Sequence, residues 1–103
     1  MCIRDSNEGD EIAKALGDKK VAILQNHGIL TTGPSVDIAL WFYMSMDRCC
    51  QAQLLADSAG EPVIIPHETA VKTREFIAND IAAWASYQPA FDKIIKMQPD
   101  LLD

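Results

Sequence analysis

Two short runs of apolar and β-branched residues place the strongest constraint on what this 103-residue chain can fold into. Residues 21–24 (Val-Ala-Ile-Leu) and 29–32 (Ile-Leu-Thr-Thr) have the composition of β-strands, and Gln-Asn-His-Gly at 25–28 separates them. They form either one bent strand or two antiparallel strands around a tight turn. A two-stranded ribbon alone is marginally stable in water. The pattern therefore predicts a piece of a larger α/β sheet domain, or a partner subunit that supplies the missing strands.

The first strand is a continuous apolar run, and this composition is typical of a strand covered on both faces. Residues 1–9 show no periodicity and are interpreted as a disordered or non-native leader. Asp10 is a candidate N-cap for a first short helix, and Asp18-Lys19-Lys20 is interpreted as a polar link to the strand. The predicted domain organisation is thus a leader at 1–9 and one folded unit at 10–103.

A long helix is predicted after the strands. Ser35 is its candidate N-cap, Asp37 stands where the helix dipole favours a negative charge, and Gly60 marks the C-terminal end. Such a helix has about 24 residues and a length of about 36 Å. Its apolar residues recur at spacings of three and four, which predicts one buried stripe. The stripe comprises Ile38, Trp41, Phe42, Cys49, Ala52, Leu55, Ala56 and Ala59.

Shorter helices are predicted in the remaining third of the chain. One begins at His67 or Glu68 and ends near Asn79, and a second helical stretch follows it. Pro89 is a candidate first residue of a last short helix, because proline is favoured at that position. The C-terminus from Met97 onward is expected to fray. The chain is therefore expected to contain about four helices and few strands.

Charge and composition exclude several functional classes. Nine Lys and Arg residues against fifteen Asp and Glu residues give a net charge of −6, so no basic surface is available to neutralise phosphates or an anionic membrane. We therefore expect neither nucleic-acid nor membrane binding. The longest apolar run, residues 38–44, is too short to span a bilayer. Three cysteines cannot all pair within one chain, which favours reduced thiols and a cytoplasmic location.

His27 is the residue best placed to carry chemistry. It lies between Asn26 and Gly28 at the end of a strand, and a neutral imidazole is a common protein ligand for zinc. The alternative is that Asn-His-Gly forms only a turn. A single histidine does not hold a metal, because catalytic zinc sites take about three protein ligands. His67, the other histidine, is interpreted as a solvated residue at a helix start.

Structural roles are predicted for the remaining reactive and aromatic side chains. Cys49 and Cys50 have no adjacent histidine, lysine or helix N-terminus that would activate a thiol, so they are expected to pack in the core. Aromatic residues near the C-terminus recur at near-helical spacing and are expected to contact the core or another subunit. These residues are Trp84, Tyr87 and Phe91.

The sequence around His27 resembles the class II aldolase/adducin family. The resemblance rests on VAILQNHGIL at residues 21–30, followed by Thr32-Gly33 and by the ALW and QAQLL segments of the long helix. It extends from about residue 12 to the end of the chain. It implies a three-layer α/β/α sandwich of the class II aldolase type, of which residues 10–103 would be the C-terminal half.

The resemblance also implies a site and a chemistry. In family enzymes the histidine equivalent to His27 is the third ligand of a divalent metal, usually zinc, and an upstream His-x-His pair supplies the first two. That pair, the glutamate that acts as acid or base and the phosphate-binding loop are absent from this sequence. The implied substrate is a small molecule, a sugar phosphate or related hydroxy-carbonyl compound, which reacts through a metal-stabilised enediolate. A homo-oligomer, commonly a tetramer, is implied as well, and the chain alone is expected to be inactive.

Two alternatives to a metal-dependent lyase remain at this point. The first is a non-catalytic interaction module like the adducin head, which keeps the sandwich fold and serves cytoskeletal assembly without metal chemistry. The second is an independent small helical domain with a hairpin attached. The argument from missing strands speaks against the second alternative.

Overall fold

A computed structural model describes residues 6–103, which contain four α-helices and two β-strands. The elements are α1 (Ser6–Leu16), β1 (Val21–Leu24), β2 (Gly28–Thr31), α2 (Val36–Ala59), α3 (His67–Ile77) and α4 (Asp80–Met97), followed by a 3₁₀ helix at Pro99–Leu102. The predicted number of helices is confirmed. Within these residues no helix combines the length and the apolar content that crossing a bilayer requires.

The strands form an antiparallel hairpin rather than one bent strand. Four residue pairs join them, from Val21 opposite Thr31 at the open end to Leu24 opposite Gly28 beside the turn. The Thr31 hydroxyl donates a hydrogen bond of 2.9 Å to the Ala39 carbonyl, which ties β2 to the first turn of α2. Both α1 and α2 contact β1. The hairpin therefore lies against helices rather than in solvent.

The predicted cover on both faces of β1 is incomplete within the described residues. Val21 packs against the core, and three of the four β1 side chains are half-buried. Ile23, however, is 66% exposed. Val21 and Ile23 point to the same face of β1. The described residues therefore cover this face at Val21 but not at Ile23.

The ends of α2 agree with the prediction. At the start, the Ser35 hydroxyl oxygen accepts a hydrogen bond of 3.4 Å from the Ile38 N–H and thereby satisfies one unpaired donor of the first turn. At the end, the Gly60 N–H donates to the Ala56 carbonyl, with a φ of 152° that favours glycine. Helix α2 is consequently the longest element of the structure described here.

The core lies where α2 crosses α4. Its buried residues are Ile38 and Phe42 from α2 and Ala83 from α4, which is completely buried. An alanine at the crossing allows the two helices to approach closely. The predicted stripe on α2 is confirmed only in its N-terminal half, because residues 51–60 are all exposed and nothing described here covers them.

Lys20 connects the hairpin to the helices. Its ammonium group donates a hydrogen bond of 3.0 Å to the Ala78 carbonyl at the end of α3 and forms an ion pair of 2.8 Å with Asp80 at the start of α4. The same nitrogen lies 4.7 Å from the centre of the Phe42 ring, within the range of a cation–π contact. One side chain thus joins β1, α2 and the α3–α4 corner.

Helix α1 begins earlier than predicted. It starts at Ser6, so the predicted N-cap at Asp10 is wrong, and residues 6–9 of the predicted leader are helical. Glu8 lies in the first turn, where a negative charge interacts favourably with the helix dipole. The rest of the predicted leader, residues 1–5, lies outside the described residues.

Helix α4 continues through Pro89, so the predicted separate last helix is wrong. Proline has a φ close to the helical value, but it cannot donate a hydrogen bond to the Ala85 carbonyl, and its ring crowds that carbonyl. The neighbouring Gln88 amide donates to the Trp84 carbonyl at 3.1 Å and to the Asp37 carboxylate at 3.3 Å. The contact with Asp37 joins the turn that contains Pro89 to α2.

The predicted fraying after Met97 is also wrong. The Gln98 N–H donates to the Ile94 carbonyl, and the Leu101 N–H donates to the Gln98 carbonyl. These hydrogen bonds continue the chain into the 3₁₀ helix, which contacts α4.

Gly33 is the glycine at which packing leaves no room for a side chain. A Cβ atom at this position would lie 2.9 Å from the Ala39 nitrogen and 2.9 Å from Ile38 Cγ2. We expect Gly33→Ala to lower the free energy of unfolding by about 1–3 kcal/mol, because the start of α2 must shift. Urea denaturation measures the change.

Gly9→Ala is the matched control for this substitution. Nothing lies within 4 Å of a Cβ at Gly9, which is inside α1, so the substitution should stabilise the chain by about 0.5–1 kcal/mol. Equal effects of the two substitutions would contradict the described contact between Gly33 and α2.

Lys20→Met tests the connection between the hairpin and the α3–α4 corner. Methionine keeps most of the apolar stem but removes both polar contacts. Because the Lys20 side chain is 42% exposed, we expect a loss of only about 1 kcal/mol in the free energy of unfolding. Lys19→Met, at an exposed neighbour, should change it by less than about 0.5 kcal/mol. A Lys20 variant as stable as the Lys19 variant would refute this role.

Candidate functional site

The turn between β1 and β2 presents His27 at the surface. The His27 N–H donates a hydrogen bond of 3.0 Å to the Leu24 carbonyl, which closes a four-residue turn. Asn26 has a left-handed backbone with a φ of 61°, and a positive φ at the third position is the feature of a type II turn. Gly28, with a φ of 143°, then begins β2. The chain reverses within three residues, and the His27 side chain is exposed.

A backbone carbonyl orients the His27 ring. The Nδ1 atom lies 2.9 Å from the Gln25 carbonyl oxygen, two residues earlier. A carbonyl oxygen can only accept, so Nδ1 carries a hydrogen in this contact, and Nε2 is the nitrogen through which the ring would bind a metal. Metal-binding histidines commonly have this arrangement, in which one nitrogen donates to a carbonyl and the other ligates the metal. His27 therefore fits one position of a metal site.

The described residues do not complete such a site. Between residues 6 and 103, no three His, Cys, Asp or Glu side chains lie close enough together to hold a metal ion. Any ion at His27 would need its remaining donors from polypeptide other than this part of the chain. His67 is exposed at the start of α3, in agreement with its prediction as a solvated residue.

Both cysteines on α2 were expected to pack in the core, and this prediction is wrong for Cys49. Cys49 is exposed and Cys50 is half-buried, and both are free thiols. The physical reason is a groove of about 460 Å³ between β1 and the middle of α2, which leaves this side of the helix open. Its lining residues are Ile23, Met46, Cys49, Cys50, Gln53 and Leu54.

The aromatic residues of α4 are only partly in contact with one another. The rings of Tyr87 and Phe91 have centroids 6.2 Å apart and planes inclined by 35°, a geometry within the range of favourable aromatic pairs. Both side chains are half-buried. Trp84 is 50% exposed, and none of the three aromatic residues is among the described residues that pack against the buried core, so their contact with a core or another subunit stays a prediction.

Two residues, one at the base of the hairpin and one in its turn, have roles that the sequence analysis did not assign. Lys20 was assigned only to a polar link, and its partners lie 58 and 60 residues away, beyond the reach of any local pattern. Asn26 could have been found, because asparagine is one of the few residues other than glycine that adopt a left-handed backbone. Its position before His-Gly, between two strands, is the local signal.

Known proteins share both the sequence and the fold of this chain. Residues 2–54 match the family model described as the Class II Aldolase and Adducin N-terminal domain. Decarboxylase NovR from Streptomyces niveus is 41% identical over 92% of this chain and 35% of its own length. The 4-hydroxy-3-prenylphenylpyruvate oxygenase/4-hydroxy-3-prenylbenzoate synthase from Streptomyces roseochromogenus subsp. oscitans is 40% identical over 92% of this chain and 34% of its own length.

A solved structure gives the fold match. L-fuculose 1-phosphate aldolase from Glaciozyma antarctica PI12 superposes with a TM-score of 0.85 at 37% identity, over 88% of this chain and 36% of that chain. The predicted α/β fold class of the class II aldolase type is therefore confirmed. The chain spans about a third of the length of the curated relatives that it matches.

Gly28→Ala tests the backbone geometry of the turn. No atom lies within 4 Å of a Cβ at Gly28, so any cost must come from its φ of 143°, which L-residues rarely adopt. We expect the free energy of unfolding to fall by about 1–2 kcal/mol in urea denaturation. Gln25→Ala, in the same turn and exposed, should stay within about 0.5 kcal/mol of the parent chain. A fully stable Gly28→Ala variant would show that this φ is not required.

Proposed function

Because this chain belongs to the class II aldolase and adducin family, we propose that it forms part of a metal-dependent aldolase- or lyase-type enzyme. The observation that carries the proposal is the exposed His27 ring, whose Nδ1 atom lies 2.9 Å from the Gln25 carbonyl oxygen and is held by it. An interaction module that used this turn only for protein contacts would not need an imidazole held in one orientation. The proposed substrate is a sugar phosphate or a related hydroxy-carbonyl compound.

The names of the relatives support a carbonyl substrate. One relative is an L-fuculose 1-phosphate aldolase, and another is named for 4-hydroxy-3-prenylphenylpyruvate. A sugar phosphate and an arylpyruvate share a carbonyl group next to the carbon that reacts. We propose that the enzyme acts in carbohydrate metabolism. An arylpyruvate is the alternative type of substrate.

We assign His27 as one ligand of a divalent metal ion, with zinc as the proposed metal. Family enzymes generally use a divalent metal. Such an ion, when bound, acts as a Lewis acid that polarises the carbonyl of the substrate. The contribution of this chain would be the Nε2 atom of His27, with the Gln25 carbonyl in contact with the other ring nitrogen. The other ligands and the acid or base group would come from the preceding half of the domain.

The assembly and location of the whole protein are part of the same proposal. Residues 10–103 are proposed to be the C-terminal half of the domain, and the complete protein a homo-oligomer, with a tetramer as the state implied by the resemblance. Exposed apolar side chains on α3 and α4, such as Phe76 and Ile81, support further protein contacts. The free thiols of Cys49 and Cys50 support a reducing, cytoplasmic location.

Metal analysis of the full-length protein tests the assignment of His27. We expect about one zinc ion per subunit after purification and dialysis, because a catalytic zinc site needs all three of its protein ligands. His27→Ala should lower the metal content at least tenfold. His67→Ala is the matched control and should leave it unchanged, because His67 is an exposed residue at a helix start. Metal is measured by mass spectrometry on folded samples.

The same experiment separates the enzyme from its alternative. A full-length protein without bound metal, in which His27→Ala changes nothing, would refute the lyase proposal and favour the adducin-like interaction module. For metal-loaded protein, assays of L-fuculose 1-phosphate cleavage and of carbon dioxide release from an arylpyruvate distinguish the two substrate types. Activity on neither compound, with metal bound at His27, would overturn the proposed substrate class but not the metal site.

A further inference from the structure

An exposed apolar segment connects α2 to α3. Residues 62–66 have the sequence Pro-Val-Ile-Ile-Pro and belong to no helix or strand. Val63 is 95% exposed, Ile64 89% and Ile65 60%. Within the part of the chain that the structure describes, the backbone N–H groups of these three residues have no hydrogen-bond partner. The segment therefore presents apolar side chains and unpaired donors together, as an uncovered sheet edge does.

The sequence itself keeps this segment extended. A proline disfavours the helical conformation in the residue before it, which here restricts Glu61 and Ile65. The β-branched side chains of Val63 and Ile64 favour strand geometry. Pro66 has a φ of −57° and a ψ of 140°, an extended conformation. The segment thus has the backbone of a β-strand before any partner strand is present.

The sequence of the segment is nearly the same in both directions. In an antiparallel pair of two such segments centred on Ile64, Val63 of one copy lies opposite Ile65 of the other, and Pro62 lies opposite Pro66. Opposite pairs alternate between hydrogen-bonded and non-hydrogen-bonded. With Ile64 in a non-hydrogen-bonded pair, the Val63–Ile65 pairs exchange hydrogen bonds and the proline pairs need none. The N–H groups that proline lacks are therefore not required in this register.

We propose that residues 62–66 pair with the same residues of a second copy of this chain, in an antiparallel ribbon about a two-fold axis at Ile64. Such a contact is isologous, and a strand from a different protein would not need a segment that matches itself. The next positions outward bring Glu61 near His67 of the second copy, a carboxylate near an imidazole that can donate to it. The inference rests on the homo-oligomer of the proposed function and assigns one of its contact surfaces.

The area of the segment shows how far the contact must extend. A two-stranded ribbon alone is marginally stable in water. The three apolar side chains expose on the order of 400 Å², about half of the surface that each partner buries in a standard interface. Leu54 and Leu55, 70% and 63% exposed at the end of α2, are the nearest further apolar residues along the chain. We therefore expect the contact to include the end of α2 as well as the ribbon.

Disulfide crosslinking in the full-length protein tests the proposed register. In a non-hydrogen-bonded pair the two Cα atoms are about 4.5 Å apart, and disulfides need about 4.4–6.8 Å. Ile64→Cys should therefore give a disulfide-linked dimer with oxidised glutathione at low micromolar protein concentration. Because Ile64 is 89% exposed, the substitution should leave the fold intact. Cys49 and Cys50 are replaced by alanine in every variant, and mass spectrometry identifies the linked peptides.

Val63→Cys is the matched control, at a neighbouring residue that is 95% exposed. In the proposed ribbon the two copies of residue 63 are diagonal neighbours, about 7–8 Å apart, which is beyond the reach of an unstrained disulfide. Crosslinking should be at least tenfold slower than for Ile64→Cys. The double variant Val63→Cys/Ile65→Cys restores a directly opposite pair and should crosslink as fast as Ile64→Cys.

Each other result overturns the proposal. Equal rates for Ile64→Cys and Val63→Cys would indicate random collision of exposed segments. If Ile64→Cys does not crosslink, its reaction with a maleimide shows whether the segment is covered by other polypeptide or free, and either result refutes self-pairing. A crosslinked protein without bound metal would refute the proposed lyase and leave the ribbon intact. A metal-loaded, active enzyme without the crosslink would refute only the ribbon.

Discussion

A single ammonium group at the base of the hairpin joins the strands both to α2 and to the corner between α3 and α4. Lys20 donates to the Ala78 carbonyl and to the Asp80 carboxylate, and it lies over the Phe42 ring. Its own carbonyl accepts a hydrogen bond of 2.9 Å from the Thr32 N–H, directly beyond the last strand pair. The residue therefore closes the open end of the hairpin and attaches that end to α2 and to the α3–α4 corner. A compact charge with three donors suits this junction, because it serves several acceptors at once.

The base of the hairpin is attached to the helices, and the candidate site lies at the opposite end, in the turn. Four strand pairs separate the two ends, a distance of about 13 Å at about 3.3 Å per residue. The turn with Asn26, His27 and Gly28 thus lies away from the helix junction, and within this turn the imidazole contacts the Gln25 carbonyl. The junction with the helices and the candidate ligand thus lie at different ends of the same two strands.

The chain exposes more surface than its size predicts. Its accessible area is 8539 Å², against about 5,800 Å² expected for a folded monomer of this mass. Its radius of gyration is 16.4 Å, against about 13 Å for a compact domain of similar length. The exposed apolar residues include Leu54 and Leu55 at the end of α2 and Val63 and Ile64 in the segment that follows. This surface supports the proposal that another layer of protein completes the sandwich, and the much greater length of the relatives agrees with it.

The sequence by itself determined the elements whose causes are local. Ser35 and Gly60 mark the ends of α2, and the residues from Asn26 to Gly28 mark the turn, because a cap or a turn depends on groups within about four positions along the chain. The family motif around His27 is equally local. For the same reason the candidate ligand could be identified from the sequence, whereas the contact between its Nδ1 atom and the Gln25 carbonyl is visible only in the structure.

Only the tertiary structure decided the features that depend on distant partners. The role of Lys20 rests on groups 58 and 60 residues away, and the contact that helps to hold α4 through Pro89 joins Gln88 to Asp37, 51 residues apart. The open groove beside Cys49 likewise follows from how β1 lies against α2. Hydrophobic periodicity showed that α2 has an apolar stripe, but it could not show which half is covered, because cover depends on neighbours that periodicity does not identify.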